Sequence, residues 1–170
     1  MKNMSIQYYV EGDDEKKLVS VLKSNMGVIK PGKVQKLNVL QNLITDLSLR
    51  TLKNSTVVVL IFDTDTKQVE ILNQNIQKLE KCRFVSAIVT IPQVPNLERE
   101  LVRSCNIRNI TELLNSRSRK DFKRDLIHVS NLEHKLIEHE FDLSVFWTQQ
   151  PEQPYQNIIN NSEEIKIYTN

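Results

Sequence analysis

The feature that most constrains the fold is an unbroken apolar run, TVVVLIF, at residues 56–62. The run is apolar on both faces, which predicts a strand covered by helices on each side. Such strands are typical of the centre of a parallel sheet. The run ends directly in Asp63-Thr64-Asp65, so two acids in alternation follow the strand.

The segments around this run alternate between strand and helix patterns. Strands are predicted over residues 5–10 and 84–90, and helices from about Glu15 and from the acids after the central run to about Lys81. A helix is also predicted over residues 38–49, since its leucines and isoleucine recur at helical spacing. Pro31-Gly32 predicts a turn beside a short strand. The alternation predicts an α/β fold, with a mainly parallel central sheet and helices on both faces.

The second half of the chain predicts a helical C-terminal part. Pro92 and Pro95 predict an extended loop, and Asn96 is a candidate cap for the next helix. We expect one domain, with an α/β core over residues 1–126 and a helical extension with a polar tail over residues 127–170. Short helices are predicted over 97–104, from Asn109 or Thr111, over 120–129 and over 131–140; Trp147 is expected in the core.

Composition and the cysteines limit the class of protein. Hydrophobic residues make up 39% of the chain and charged residues 26%, the proportions of an ordinary soluble domain. The N-terminus lacks an apolar run long enough for a signal peptide, and no run approaches the roughly 18 residues of a membrane span. We therefore expect a cytoplasmic protein without a membrane partner. Cys82 and Cys105 lack Cys-x-x-Cys spacing, so reduced thiols are expected instead of a zinc site.

Positive charge is concentrated in two stretches, although the net charge is only +2. Residues 16–36 contain six lysines and no acid, and residues 99–124 contain eight Lys or Arg against three acids. Local basic patches of this kind can contact phosphates, which makes nucleic acid a candidate partner. The alternative is that each stretch forms an ordinary solvated face.

Acids follow two of the predicted strands. Glu11-Gly12 follows the first strand, and Asp63 and Asp65 follow the central one. The carboxyl ends of neighbouring parallel strands meet at one edge of a sheet, so these acids should converge there. Crowded carboxylates repel one another and require a cation, and oxygen-only ligands suit Mg²⁺ or Mn²⁺. Asp13 and Asp14 also fit the alternative role of helix-capping residues.

Two segments resemble the Toprim family, the domain shared by topoisomerases, primases and OLD-type nucleases. The first is YYVEGDDEKKLV, with Glu11-Gly12 after a strand, and the second is VVVLIFDTDTK, with Asp63 and Asp65 after a strand. The resemblance covers roughly residues 5–125 and favours the OLD-like and small ribonuclease-type branches. It implies a Toprim-like α/β fold.

The resemblance also implies roles for individual residues. Glu11 would act as catalytic acid or base, or as a metal ligand, and Asp63 and Asp65 would hold Mg²⁺. Glu15 matches the second acid of the E-G-x-x-E pattern found in these branches. The family's later acid corresponds to Glu98, with Glu100 as the alternative, and its later catalytic lysine to Lys120 or Lys123 near Ser116 or Ser118.

These roles predict a metal-dependent nuclease that hydrolyses phosphodiester bonds of DNA or RNA, in phage defence or RNA processing. The chain has no G-x-x-x-x-G-K-[ST] motif, so an ATPase of the OLD kind would have to be a separate partner. Its three glycines are too few for the glycine-rich loops of some relatives. The main alternative is a non-catalytic subunit that acts through a protein partner such as an ATPase. A receiver-like phosphotransfer domain fits less well, because the first strand ends in Glu-Gly instead of an acidic pair.

Overall fold

The computed structural model describes residues 4–169, and within them four strands form one parallel sheet. Its spatial order is β2-β1-β3-β4, so β1 and β3 are central. The α/β class with a parallel central sheet is therefore confirmed. Residues 1–3 and 170, at the two ends of the predicted domain, lie outside the described part. The strands are β1 Ser5–Val10, β2 Lys33–Lys36, β3 Thr56–Asp63 and β4 Val85–Gln93.

Helices connect the strands and then form the C-terminal half. A π-helical turn, Val21–Asn25, extends the first helix, and a 3₁₀ turn, Ser162–Glu164, lies near the end of the chain. No helix in the described range is long and apolar enough to cross a membrane. The α-helices are α1 Asp13–Ser20, α2 Asp46–Arg50, α3 Glu70–Glu80, α4 Leu97–Ser104, α5 Thr111–Leu114, α6 Arg119–His128 and α7 Leu132–Glu138.

Strand β3 contributes to hydrophobic cores on both faces of the sheet. Every residue of this strand is buried. Because side chains alternate along a strand, Val57, Val59 and Ile61 pack with α1, α4 and α6, while the intervening residues pack with α3. The prediction of a strand covered on both faces is confirmed. Trp147 is buried in the first of these cores, as expected.

The predicted helix over residues 38–49 is wrong. Only Asp46–Arg50 is helical, capped by Thr45, whose side chain accepts a hydrogen bond from Ser48 N. Leu43 and Leu47, which were expected on the buried face, are 46% and 74% exposed.

The cause is a tertiary contact from Asn75 of α3. Its buried amide nitrogen donates to Val39 O at 3.0 Å and to Asn42 O at 2.9 Å, and its Oδ1 accepts from Ile44 N at 2.8 Å. These bonds replace the i to i−4 bonds that a helix would supply to this segment. Helical spacing alone cannot reveal a side chain that comes from a distant helix.

The segments at the ends of β3 and β4 also differ from the prediction. Thr64 N donates to Gln93 O at 3.1 Å and to Pro95 O at 2.7 Å, which ties the end of β3 to the end of β4. A bend follows at residues 65–67, and α3 begins only at Glu70. Pro92 belongs to β4 and not to the loop, because β4 is an edge strand, where the missing N–H is tolerated. In the tail, IKIY forms a single antiparallel bridge, Ile29 with Lys166.

Asn75→Ala should destabilise the protein by about 2–3 kcal/mol, because it leaves two buried backbone groups and one partly buried group without this partner. The measurement is urea denaturation followed by circular dichroism. Asn73→Ala, at an exposed position of the same helix, is the matched control and should change stability by less than about 0.5 kcal/mol. Equal effects of the two substitutions would contradict the role given to Asn75.

Candidate metal centre

A polar side chain lies at the carboxyl end of each of the four strands. Glu11 directly follows β1, Asn38 follows β2 by two residues, and Asp63 and Gln93 are the last residues of β3 and β4. Because all four strands are parallel, these ends share one edge of the sheet. The order of the strands places Glu11 and Asp63 next to each other at its centre.

Glu11, Glu15 and Asp63, here called the acidic cluster, each place a carboxylate oxygen within 4.8 Å of the others. Glu15 and Asp63 are buried, and Glu11 is half-buried. Gly12 caps α1, and its N–H donates to Glu15 Oε2 at 3.0 Å. A Cβ on Gly12 would lie 2.9 Å from Asp14 Oδ1 and 3.1 Å from Glu15 Oε2. Glycine therefore gives the carboxylates of the first turn the space they occupy.

Hydrogen bonds from neighbouring strand ends orient the acidic cluster. Asn38 Nδ2 donates to Glu11 Oε1 at 2.9 Å, and Asp63 N donates to Glu11 Oε2 at 3.3 Å. Gln93 Nε2 donates to Asp63 Oδ1 at 2.7 Å. Each of these amides is neutral, so it holds an acid in place without adding charge to the cluster.

Trp147 holds Gln93 against Asp63. Its indole Nε1 donates to Gln93 Oε1 at 3.1 Å, which leaves the amide nitrogen of Gln93 directed at the acid. The backbone of Trp147 has φ 59°, a left-handed conformation that is costly for a bulky residue. Ser162 Oγ at 2.7 Å and Asn160 Nδ2 at 2.8 Å donate to its carbonyl and stabilise that conformation.

Glu100, the alternative to Glu98 as the later family acid, is engaged elsewhere. Its side chain is fully buried, and its Oε1 accepts from Val94 N at 2.9 Å and from Arg103 Nη2 at 2.7 Å. Its Oε2 accepts from Trp147 N at 3.1 Å. Both oxygens are therefore committed to the loops beside the site, which is a structural role.

Burial and mutual repulsion favour protons on the acidic cluster. Burial raises the pKa of Glu15 to about 10, with further contributions from the hydrogen bond and charge of Asp14. Burial and then the charge of Glu11 raise the pKa of Asp63 to about 8. Burial also raises the pKa of Glu11, although the hydrogen bond from Asp63 N opposes it. A divalent cation would take the place of these protons, and its positive charge would offset the same repulsion.

The chemistry of the acidic cluster fits a hard divalent cation. All three residues offer carboxylate oxygens, the ligands that Mg²⁺ and Mn²⁺ prefer, and no imidazole or thiolate belongs to the described cluster. Burial strengthens the attraction between these carboxylates and a cation, because little water screens it. The arrangement can therefore hold a metal and present it at the sheet edge.

Asp65 and Glu98, the other two predicted ligands, lie beside the acidic cluster and not within it. Among the described residues, the group of oxygens within 4.8 Å of one another does not include either of them. After burial and the charge of Glu11, their charges are among the causes that raise the pKa of Asp63. Asp65 is exposed, and the side chain of Glu98 is 20% exposed.

Of the two predicted lysines, Lys123 faces the acids. Its Nζ lies 3.6 Å from Glu98 Oε1. Burial lowers the pKa of Lys123, but the charges of Glu98 and of the nearby acids outweigh burial and raise it. Lys120 is exposed, and no ion pair is found for it in the described part of the chain. Of the two lysines, the structure thus places Lys123 beside the acids.

Asp13 and Asp14, the candidate capping residues, and Ser118, named as a serine near the predicted lysine, have different roles in the structure. Asp13 is exposed and forms an ion pair with Lys36 at 3.2 Å. Asp14 is buried beside Glu15, so the two adjacent acids are not equivalent. Ser118 caps α6 by accepting a hydrogen bond from Asp121 N at 3.1 Å.

Sequence reasoning missed two site residues, Asn38 and Gln93, and left open whether Asp14 caps a helix or joins the carboxylates. A signal existed for the first two, because each is a polar residue at or just past the end of a strand, as Glu11 and Asp63 are. Asn38 was not predicted at a strand end because β2 is short and its end was not assigned. Gln93 was not predicted there because Pro92 was assigned to a loop. Nothing in the local pattern distinguishes Asp14 from Asp13.

A scan of the chain against protein-family models, a search of curated proteins and a search of solved structures find no match. The Toprim resemblance consequently rests on the segments around Glu11 and Asp63.

Asp63→Asn should stabilise the metal-free protein at high pH. The pKa of Asp63 is about 8 in the folded protein and near 4 in the unfolded chain. The protonated side chain therefore contributes its full stability below pH 4, and this stability is lost as the pH rises from about 4 to about 8. Asparagine has no charge to bury and can still accept from Gln93. In EDTA, the Tm of Asp63→Asn should be higher than that of wild type at pH 9 and similar to it at pH 4. Each kcal/mol gained in the free energy of unfolding should raise Tm by about 2–4 °C.

The control for this prediction is Glu80→Gln, which removes an exposed acid at the end of α3. Its effect on Tm should be small and similar at both pH values. A loss of Tm at pH 9 in Asp63→Asn would contradict the electrostatic account of the acidic cluster.

Proposed function

We propose that this protein is a Mg²⁺- or Mn²⁺-dependent nuclease of the Toprim type, which hydrolyses phosphodiester bonds of DNA or RNA in the cytoplasm. The observation that carries the proposal is the acidic cluster: Glu11, Glu15 and Asp63 converge within 4.8 Å at the carboxyl edge of a parallel sheet. The Glu-Gly and Asp-x-Asp motifs that resemble the Toprim family supply two of these three acids.

The acidic cluster would hold the cation, and Asp65 and Glu98, whose charges act on Asp63, are the candidates to bind a second ion or its waters. When bound, a divalent ion supplies a polarised water and positive charge for the phosphate oxygens. Glu11 is the acid of the cluster most accessible to solvent, which suits it to accept a proton from the attacking water. Asn38 orients its carboxylate for that role.

Lys123 would stabilise negative charge on the phosphate during cleavage. It remains protonated at neutral pH, since its pKa is raised above the ordinary lysine value. It is paired with Glu98 at 3.6 Å, a loose contact from which a phosphate oxygen can take the ammonium group. Lys120 is the weaker candidate because it is exposed and has no acid partner in the described residues.

A non-catalytic subunit that acts through a partner, such as a separate ATPase, is the alternative. It would use the same acids for a structural ion or for none. The partial exposure of Glu11 favours the nuclease, because an ion held there would stay accessible to a substrate, whereas structural metal sites are typically closed.

The test is cleavage of labelled RNA, single-stranded DNA and duplex DNA by the purified protein with Mg²⁺, Mn²⁺ or EDTA. Wild type should cleave at least one of them only when metal is present, and Glu11→Gln should lower the rate by about 100-fold or more. Glu80→Gln is the matched control and should cleave as wild type does, with all three proteins equally folded by circular dichroism.

Two results would contradict the proposal. One is cleavage that survives Glu11→Gln, which would indicate a contaminating nuclease. The other is a complete lack of cleavage by wild type, joined with an in-cell phenotype that Glu11→Gln retains, which would favour the subunit that acts through a partner.

A further inference from the structure

Three of the charged side chains in each basic stretch are already engaged within the fold. In the first, Lys17 donates to Val129 O, Lys23 donates to Gly32 O and Lys36 pairs with Asp13. In the second, Arg103, Lys123 and Arg124 pair with acids. Within residues 4–169, no ion pair is found for Arg99, Arg108 or Arg119.

These three arginines line one cleft, here called the arginine cleft, with a volume of about 170 Å³. They come from three separate elements: Arg99 from the first turn of α4, Arg108 from the loop before α5 and Arg119 from the start of α6. Three positive charges around one cleft repel one another, and a bound anion would remove that repulsion. The remaining lining residues are Asn96, Glu98, Val102, Asn109 and Ile110.

The charge of the arginine cleft suits a phosphate group. Among the described residues that line it, Glu98 is the one acid, and the Lys123 ion pair offsets that charge. The three arginines thus keep a net positive charge, and their planar donors match phosphate oxygens in bidentate contacts. A terminal phosphate monoester carries about −1.5 to −2 at neutral pH and an internal diester only −1, so the cleft favours the monoester.

The arginine cleft adjoins the acidic cluster through Glu98. This residue lines the cleft, and its carboxylate is 3.6 Å from Lys123 Nζ. Lys123 in turn is close enough to Glu15 and Asp63 for their charges to raise its pKa, after burial and Glu98. The Glu98–Lys123 ion pair is therefore the border between the two sites.

We propose that the arginine cleft binds the terminal phosphate monoester of a nucleic-acid strand and so positions a nearby phosphodiester at the acidic cluster. This inference rests on the proposed nuclease function for its substrate class. The protein would accordingly act near phosphorylated ends of its substrate and not uniformly along it.

The test measures binding in EDTA, where cleavage does not occur, by fluorescence anisotropy of short single-stranded DNA and RNA oligonucleotides. Each is prepared with a 5′-phosphate, a 3′-phosphate or hydroxyls at both ends. Wild type should bind one phosphorylated form about tenfold or more tightly than the hydroxyl form. Inorganic phosphate should compete with that form preferentially.

The variants are the triple substitution Arg99→Gln, Arg108→Gln, Arg119→Gln and the control Arg50→Gln. Arg50 is an exposed arginine at the end of α2. The triple variant should lose the end preference, and Arg50→Gln should keep it. Equal binding of the three end forms by wild type, for DNA and for RNA, would overturn the inference. An end preference that survives the triple substitution would overturn it as well.

The binding assay in EDTA tests the arginine cleft, and the cleavage assay with metal tests the nuclease proposal, so the two can fail independently. Loss of the end preference beside intact metal-dependent cleavage would refute the arginine cleft alone. An end preference in EDTA that depends on the three arginines, in a protein that never cleaves, would refute the nuclease and retain the cleft.

Discussion

Electrostatic repulsion among three carboxylates at one edge of a parallel sheet is the constraint on which the rest of the site depends. Glu15 and Asp63 are buried, and Glu11 lies beside them within 4.8 Å. Without a cation, this arrangement is tolerated by protonation and by hydrogen bonds from neutral amides. Asn38 and Gln93, at the ends of the two outer strands, supply those amides.

The C-terminal half of the chain maintains this edge of the sheet. Trp147 donates to Gln93, and its own unfavourable backbone conformation is held by Glu100, Asn160 and Ser162. The residues after the α/β core are thereby tied to Asp63 through two hydrogen bonds. Changes in this segment can consequently alter the acidic cluster, although none of its residues belongs to that cluster.

Strong periodic patterns and strand-end acids allowed much of the fold and part of the site to be predicted. The run that is apolar on both faces predicted a central position for β3. The acids that follow β1 and β3 predicted that a site would form at the edge that these strand ends share. The helix over residues 38–49 failed because Asn75, more than thirty residues away, satisfies that backbone instead. Local spacing carries no record of such a partner.

Other parts of the site depend on three-dimensional proximity that the sequence does not encode locally. Lys120 and Lys123 are equivalent by motif, and only the packing of α6 places Lys123 beside Glu98. The arginine cleft likewise joins residues from three elements, while the sequence shows only a basic stretch. Asp14 and Asp13 differ because adjacent helical positions face different directions.

The most direct test of the central claim is Mn²⁺ binding to the purified protein, measured by electron paramagnetic resonance of the free ion. The account predicts saturable binding in wild type and in Glu80→Gln, and a loss of about tenfold or more in affinity in Asp63→Asn, which removes a ligand charge. If wild type does not bind Mn²⁺, or if Asp63→Asn binds it with unchanged affinity, the result would contradict a metal centre at the acidic cluster.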